Sequence, residues 1–210
     1  MQRIIRHAVR TVPLLAWILF VVTPGIQAME CTVESPVYPE ESFPQVRIST
    51  SEGDFVVEMD RRRAPITVNN FLRYVQSGAY KGTMFHRVID GFVVQGGGYL
   101  PDGTAIDTLG DILNESGNGL ANNQRTIAMA RHDDPHTATS QFYFNLADND
   151  SLNPNRRNWG YTVFGRVTEG WEVVEKIGGV ATGFSETMGA ADVPVAPVTI
   201  KDAALIKSDF

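Results

Sequence analysis

Short runs in which apolar and polar residues alternate with a period of two recur along the body of this chain. Val46-Arg47-Ile48 alternates, Ser51-Glu52-Gly53-Asp54 supplies a turn, and Phe55-Val56-Val57-Glu58-Met59 resumes the strand. A Gly-Asp step between two such runs predicts a β-hairpin. Further strands are expected over 84–88, 92–95, 126–130, 141–145, 161–167 and 198–206. The helical period surfaces only twice. Val68, Phe71, Leu72 and Val75 follow Pro65 at the spacing of one buried face, and Gly78 closes that segment. A second helix is expected from about Trp171 to Ile177, stopped by Gly178-Gly179. Many short strands with two helices predict an all-β domain, a closed barrel whose open ends the helices cover. Residues 97–125 and 146–160 are rich in Gly, Asn and Asp and read as long loops, which often carry function. Residues 180–196 also read as loop, with no function attached. Neither an internal repeat nor a second linker divides the body, so one domain is expected over 46–210.

The first 45 residues break this pattern. Arg3, Arg6 and Arg10 precede an apolar run from Val12 to Val22, and Thr23-Pro24-Gly25-Ile26-Gln27-Ala28 ends it. That layout is a secretory signal peptide over 1–28, with cleavage near Ala28. The run is shorter than the ~20 apolar residues of a comfortable span. The alternative is an uncleaved signal that tethers the protein to the membrane. A periplasmic protein with no membrane span after cleavage is the expectation. Residues 29–45 hold Pro36, Pro39 and Pro44 among Glu30, Glu34, Glu40 and Glu41, the composition of an extended tether.

Charge and cysteine usage narrow the function. The chain has 18 basic and 24 acidic residues, a net −6, and loss of the three signal arginines would make it −9. An acidic protein has no attraction to a phosphate backbone, which argues against nucleic-acid partners. Cys31 is the single cysteine, so no intrachain disulfide can form. Stability must come from an ordinary core, which a chain of this length can supply.

The chemistry concentrates in Phe85-His86-Arg87-Val88-Ile89-Asp90-Gly91-Phe92-Val93-Val94-Gln95-Gly96-Gly97-Gly98. A guanidinium within a strand that otherwise reads as core is either paired structurally or lines a pocket. His86 is expected on the opposite face from Arg87, satisfied inside the barrel. Gly96-Gly97-Gly98 lacks a following Gly-Lys-Ser/Thr, so it reads as a tight strand exit rather than a phosphate loop. His132 and His136 have metal-pair spacing, but Pro135 points to a loop and no third ligand is evident. Ser140 near His136 lacks the strand–turn–helix setting of a hydrolase nucleophile. No metal and no cofactor is expected.

Four blocks in order add a resemblance. They are Phe85-His86-Arg87-Val88-Ile89 with Gly91-Phe92 and Gln95-Gly96-Gly97; Thr126-Ile127-Ala128-Met129-Ala130-Arg131; Ser140-Gln141-Phe142-Tyr143-Phe144-Asn145; and Tyr161-Thr162-Val163-Phe164-Gly165. Asn114-Glu115 before Asn118-Gly119-Leu120 adds to them. With these blocks, residues 46–206 resemble the cyclophilin-type peptidyl-prolyl cis-trans isomerases, within them the bacterial periplasmic branch. The resemblance implies an eight-stranded antiparallel β-barrel capped by two α-helices, with the active groove on its outer face.

It also implies roles. Arg87 would be the catalytic donor, hydrogen bonding to the prolyl nitrogen of the twisted amide. Phe92, Val93, Tyr143 and Leu152 would cup the proline ring, and Tyr161 would take the rim. Gln95 would bind substrate backbone and hold Arg87, Gln141 would line the same groove, and the Ala130-Arg131 backbone would pair with the peptide. The partners implied are proline-containing segments of exported or unfolded proteins, met by a monomer. Ser151 stands where relatives carry tryptophan or phenylalanine, which implies weak cyclosporin binding. Val93 replaces a common methionine and Tyr143 a common phenylalanine. The competing expectation is a non-catalytic chaperone or proline-peptide binding module with the same fold, and fold alone does not decide between them.

Overall fold

The structure, a computed structural model, describes residues 37–206. The signal-peptide reading of 1–28, Cys31 and the first part of the 29–45 segment lie outside them. Ten strands form: β1 (Gln45–Thr50), β2 (Asp54–Met59), β3 (Met84–Ile89), β4 (Val93–Tyr99), β5 (Thr126–Met129), β6 (Phe142–Asn145), β7 (Val163–Glu169), β8 (Thr182–Ser185), β9 (Ala190–Pro194) and β10 (Ile200–Ile206). Among the described residues two α-helices accompany these ten strands, α1 (Pro65–Ser77) and α2 (Trp171–Gly178).

Eight strands make one antiparallel sheet in the order β10-β1-β2-β7-β5-β6-β4-β3. The sheet curls so that its two edges approach. They meet through one isolated bridge, Met84↔Thr199. The Phe85 N–H donating to the Val198 carbonyl (2.9 Å) and the Ile200 N–H to that of Thr83 (2.7 Å) add to it. The closed barrel expected from sequence is thus an eight-stranded half-barrel drawn together at its seam, because Val198 and Thr199 precede β10 rather than extend it.

The core explains the alternation. Phe55, Phe85, Phe142, Phe144 and Phe164 are buried within the curl, with Phe55 and Phe144 edge to face at 5.2 Å. Helix α1 lays Val68, Phe71, Leu72 and Val75 over one end, and Phe71 meets Phe142 at 5.4 Å and Phe164 at 5.3 Å. Its first turn has no side-chain cap of its own. The Glu115 carboxylate, from a distant loop, accepts the Ile66 N–H (3.2 Å), the Thr67 N–H (2.8 Å) and the Thr67 hydroxyl (2.7 Å). A negative charge there meets orphan donors and the positive helix end. Gly78 ends the helix in the left-handed region at φ 72°.

Three local expectations change. Strand β4 continues through the three glycines to Tyr99. They belong to the strand because a Cβ on Gly96 would lie 2.7 Å from the Phe85 ring, and one on Gly97 2.6 Å from that of Phe142. The 180–196 segment is a two-stranded hairpin, β8–β9, whose tip is closed by the Met188 N–H donating to the Ser185 hydroxyl (3.3 Å). Its Gly and Pro content hid a strand pair with little to bury. Residues 37–44, read as tether, are fastened to the body. Asn69 accepts the Val37 N–H (2.8 Å), and Arg61 binds the carbonyls of Glu41 (3.0 Å) and Val37 (2.5 Å).

Candidate active site

Strands β3, β4 and β6 carry core residues on one face and the candidate site on the other. Along β6, Phe142 and Phe144 enter the core while Tyr143 turns outward; along β4, Val94 enters and Val93 and Gln95 turn outward. In β3 the alternation breaks. Phe85 pairs with Gly96 and Arg87 with Gln95, so two residues, His86 and Arg87, oppose one. That is a β-bulge, and bulges re-aim side chains beside functional sites. Phe85 and Val88 stay in the core. His86 leaves the barrel interior, against the expectation from strict alternation.

A groove of about 410 Å³ results, lined by Arg87, Phe92, Val93, Gln95, Ala130, Arg131, Tyr143, Leu152 and Tyr161. Nine of the ten residues expected from sequence therefore share one surface. The Arg87 guanidinium donates to Gln95 Oε1 at 3.4 Å, and Gln95 Nε2 donates to Gln141 Oε1 at 2.9 Å. Among the described residues Arg87 has no carboxylate partner. The alternative of a structural salt bridge in the barrel wall is excluded there. A half-buried charge held by one long neutral contact retains donors for something in the groove.

Arg131 is spent differently. Its guanidinium donates to the carbonyls of Gly160 (3.0 Å), His132 (2.7 Å) and Asp133 (3.1 Å) and to Asn158 Oδ1 (3.3 Å). It also lies 4.6 Å above the Tyr161 ring, which meets Tyr143 edge to face at 5.8 Å. Arg131 thus fixes the rim rather than offering a free charge. Tyr143 is 4 % exposed, and burial pushes its hydroxyl well above the ordinary tyrosine range, so it stays a donor, to Asn122 Oδ1 at 2.7 Å.

Gln141 lies next door rather than in this groove. It lines a second cavity of about 380 Å³ with His86, Tyr99, Thr137, Thr139 and the hairpin-tip residues Thr187 and Met188. Gln95, Ala130 and Arg131 border both spaces. His86 stands edge-on to Tyr99 at 4.8 Å, and its buried Nδ1 has no hydrogen-bond partner among the described residues. Burial lowers its pKa from 6.5 to about 4, so it is neutral at ordinary pH. Sequence reasoning missed this cavity because its outer wall comes from the segment read as loop; the turn signal at Met188-Gly189 was the available clue.

The remaining candidates lie outside the groove. His136 Nδ1 accepts the Asn114 N–H (3.1 Å), and its ring stands against Trp159 at 5.0 Å. Among the described residues no cluster of three or more His, Cys, Asp or Glu is placed to hold a metal ion. Ser151 lies exposed in the 3-10 turn Asp150–Leu152.

Comparison with known proteins decides what the groove belongs to. The family model of cyclophilin-type peptidyl-prolyl cis-trans isomerases matches residues 45–205. The chain belongs to the cyclophilin family. It is 52% identical over 164 residues to peptidyl-prolyl cis-trans isomerase cyp18 of Streptomyces antibioticus, covering 77% of this chain and 98% of that one. It is 43% identical to peptidyl-prolyl cis-trans isomerase A of Dickeya dadantii, covering 87% and 95%. Among solved structures, a cyclophilin-type isomerase of Cryptosporidium parvum superimposes with a TM-score of 0.65 at 27% identity, covering 79% and 99%. That protein was also solved in the presence of the dipeptide Ala-Pro. This cyclophilin is accordingly an enzyme, a peptidyl-prolyl cis-trans isomerase.

Proposed function

We propose that this cyclophilin speeds X–Pro rotation in exported proteins of the periplasm, and that Arg87 supplies the catalysis. An X–Pro bond isomerises unaided over tens to hundreds of seconds, against an amide barrier of ~18–20 kcal/mol. No covalent bond is made or broken. In the twisted amide the prolyl nitrogen becomes pyramidal and gains a lone pair. A donor aimed at that nitrogen binds the transition state better than the planar ground state, and each ~1.36 kcal/mol of that preference is worth tenfold in rate.

The arrangement supports this reading. Phe92, Val93, Tyr143 and Leu152 are apolar walls for a proline ring, and Arg87 borders the same space. Gln95 holds one side of the guanidinium, with Gln141 holding Gln95, so the planar fork is oriented before substrate arrives. The peptide backbone lies along Ala130-Arg131 beyond the end of β5 as a short added strand. A side chain flanking the proline enters the second cavity. Exposed Ser151 offers no aromatic surface, so cyclosporin binds weakly. The basic start and apolar run of residues 1–22 support export, with cleavage near Ala28.

The observation that carries the proposal is an arginine with no acid partner among the described residues, on the wall of an apolar groove. Two-dimensional exchange NMR on an Ala-Ala-Pro-Phe peptide tests it. Catalytic amounts of wild type accelerate exchange, and Arg87→Ala reduces the acceleration by at least ~100-fold. Equal acceleration by both proteins would remove Arg87 from the mechanism. Cell fractionation with mass spectrometry of the N-terminus tests export. A periplasmic protein beginning near residue 29 is expected, and an intact membrane-bound chain would replace cleavage with the tether.

A further inference from the structure

Beneath the proline cup lies a connected set of buried asparagines that the isomerisation chemistry does not use. Asn122, in the loop before β5, is fully buried and lines neither cavity. Its Oδ1 accepts the Tyr143 hydroxyl at 2.7 Å and Asn145 Nδ2 at 3.3 Å. Its Nδ2 donates to the Leu152 carbonyl at 3.2 Å and to Asn153 Oδ1 at 3.0 Å. The Asn122 backbone is engaged as well, its N–H with Asn153 Oδ1 at 2.7 Å and its carbonyl with the Asn149 N–H at 2.8 Å. Asn149 in turn donates through Nδ2 to Asn145 Oδ1 at 2.7 Å and to the Phe92 carbonyl at 3.0 Å.

Three of the four apolar cup residues therefore hang on this set: Tyr143 by its hydroxyl, Leu152 and Phe92 by their carbonyls. They come from β6, the 150–152 turn and the β3–β4 connection. Backbone bonds also reach two of them, the Leu146 N–H donating to the Phe92 carbonyl (2.9 Å) and the Tyr161 N–H to that of Leu152 (3.0 Å), but only the asparagines tie all three together. From the resemblance the cup was legible, but what holds its pieces in register was not.

We infer that Asn122 is a positioning residue for the isomerase, setting the shape of the proline cup from outside the groove. A primary amide suits the place. It offers two donors and an acceptor without charge, and each is matched here. A carboxylate would lose both donors and bury a charge. An aliphatic residue would leave the buried Tyr143 hydroxyl without its acceptor and cut the tie to the Leu152 carbonyl, which would keep the Tyr161 N–H alone. A fully satisfied buried network fixes one arrangement of the groups around it. The cup grips the proline ring in the planar and the twisted amide alike, so loosening it removes uniform binding: KM rises and kcat holds. Loss of Arg87 should do the reverse.

This inference rests on the groove being the substrate site, and the experiment separates the two. Titration of the same Ala-Ala-Pro-Phe peptide gives Kd, and exchange NMR at saturation gives turnover, each corrected for the folded fraction from denaturant unfolding. The Asn122→Ala protein is expected to bind about five- to tenfold more weakly while turning over within about twofold of wild type. In the Tyr143→Phe background the same substitution is expected to weaken binding by a smaller factor, because one tie is already cut. Wild-type Kd in folded Asn122→Ala, or full additivity with Tyr143→Phe, would make Asn122 merely structural and overturn the inference. Should Asn122→Ala fail to fold, half-buried Asn153→Ala removes the acceptor shared by the Asn122 N–H and Nδ2 and is held to the same binding and turnover outcomes. Absence of any acceleration by wild type would instead defeat the proposed function.

Discussion

The inner and outer faces of β3, β4 and β6 share a backbone and nothing else. The inner face is a set of interlocked rings, with Phe142 touching Phe71, Tyr80, Phe85 and Phe144. Any apolar residue of the right volume can serve that purpose, and its failure is a loss of stability. The outer face places the Arg87 guanidinium, Gln95 and a few apolar walls around a space, with Gln141 holding Gln95 from next door. On the proposed reading its failure is a loss of rate or affinity in a protein that stays folded. A single bulge at His86-Arg87 is where the sequence crosses from one logic to the other.

The contrast can be broken from either side. The largest effect belongs to the inner face. Phe142→Ala empties the centre of the ring cluster and is expected to cost about 3–5 kcal/mol by denaturant unfolding. Its folded fraction should still isomerise peptide at close to the wild-type rate. A cost below ~1 kcal/mol would mean that the core repacks freely.

His86 sits on the boundary and gives a pH signature. Its pKa is held down to about 4 in the folded protein, against 6.5 without burial. The unfolded chain therefore takes up a proton first as pH falls. The contribution of neutral His86 is whole above about pH 6.5, declines towards pH 4 and is gone below it, a loss on the order of 3 kcal/mol. The stability difference between wild type and His86→Gln should shift by that amount between pH 7 and pH 4. A difference independent of pH would show that burial does not depress this imidazole.

The smallest effect sharpens the outer face. Met188→Trp fills the second cavity from the hairpin tip. It is expected to lower kcat/KM about tenfold for peptides with a bulky residue beside the prolyl dipeptide, while alanine at that position is hardly affected. Parallel losses across the peptide series would mean that the cavity does not select side chains.

How much of this the chain announces follows from the same contrast. The period-two runs place β1 to β3, β5 to β7 and β10 within one or two residues, because each buries one face, whereas β4 runs four residues beyond its expected end, through glycines that carry no pattern. The Val68, Phe71, Leu72, Val75 spacing does the same for α1. The pair β8–β9 escapes because its residues are mostly exposed and no alternation develops. The resemblance supplies nine residues of one groove, whereas alternation alone misplaces His86, since a bulge leaves no mark in hydropathy. The second cavity and the asparagines under the cup are also silent. Asn122, Asn149 and Asn153 stand in polar stretches that look like ordinary loop, Asn145 ends a strand, and only the fold shows that they are buried or joined.

The role of Arg87 is tested most directly by measuring binding and turnover separately in one substitution. Arg87→Ala should bind the Ala-Ala-Pro-Phe peptide within about threefold of wild type, while exchange of the bound peptide slows at least ~100-fold, because the lost donor acts on the twisted amide alone. A loss confined to Kd, with bound exchange unchanged, would make Arg87 a binding residue and contradict the account.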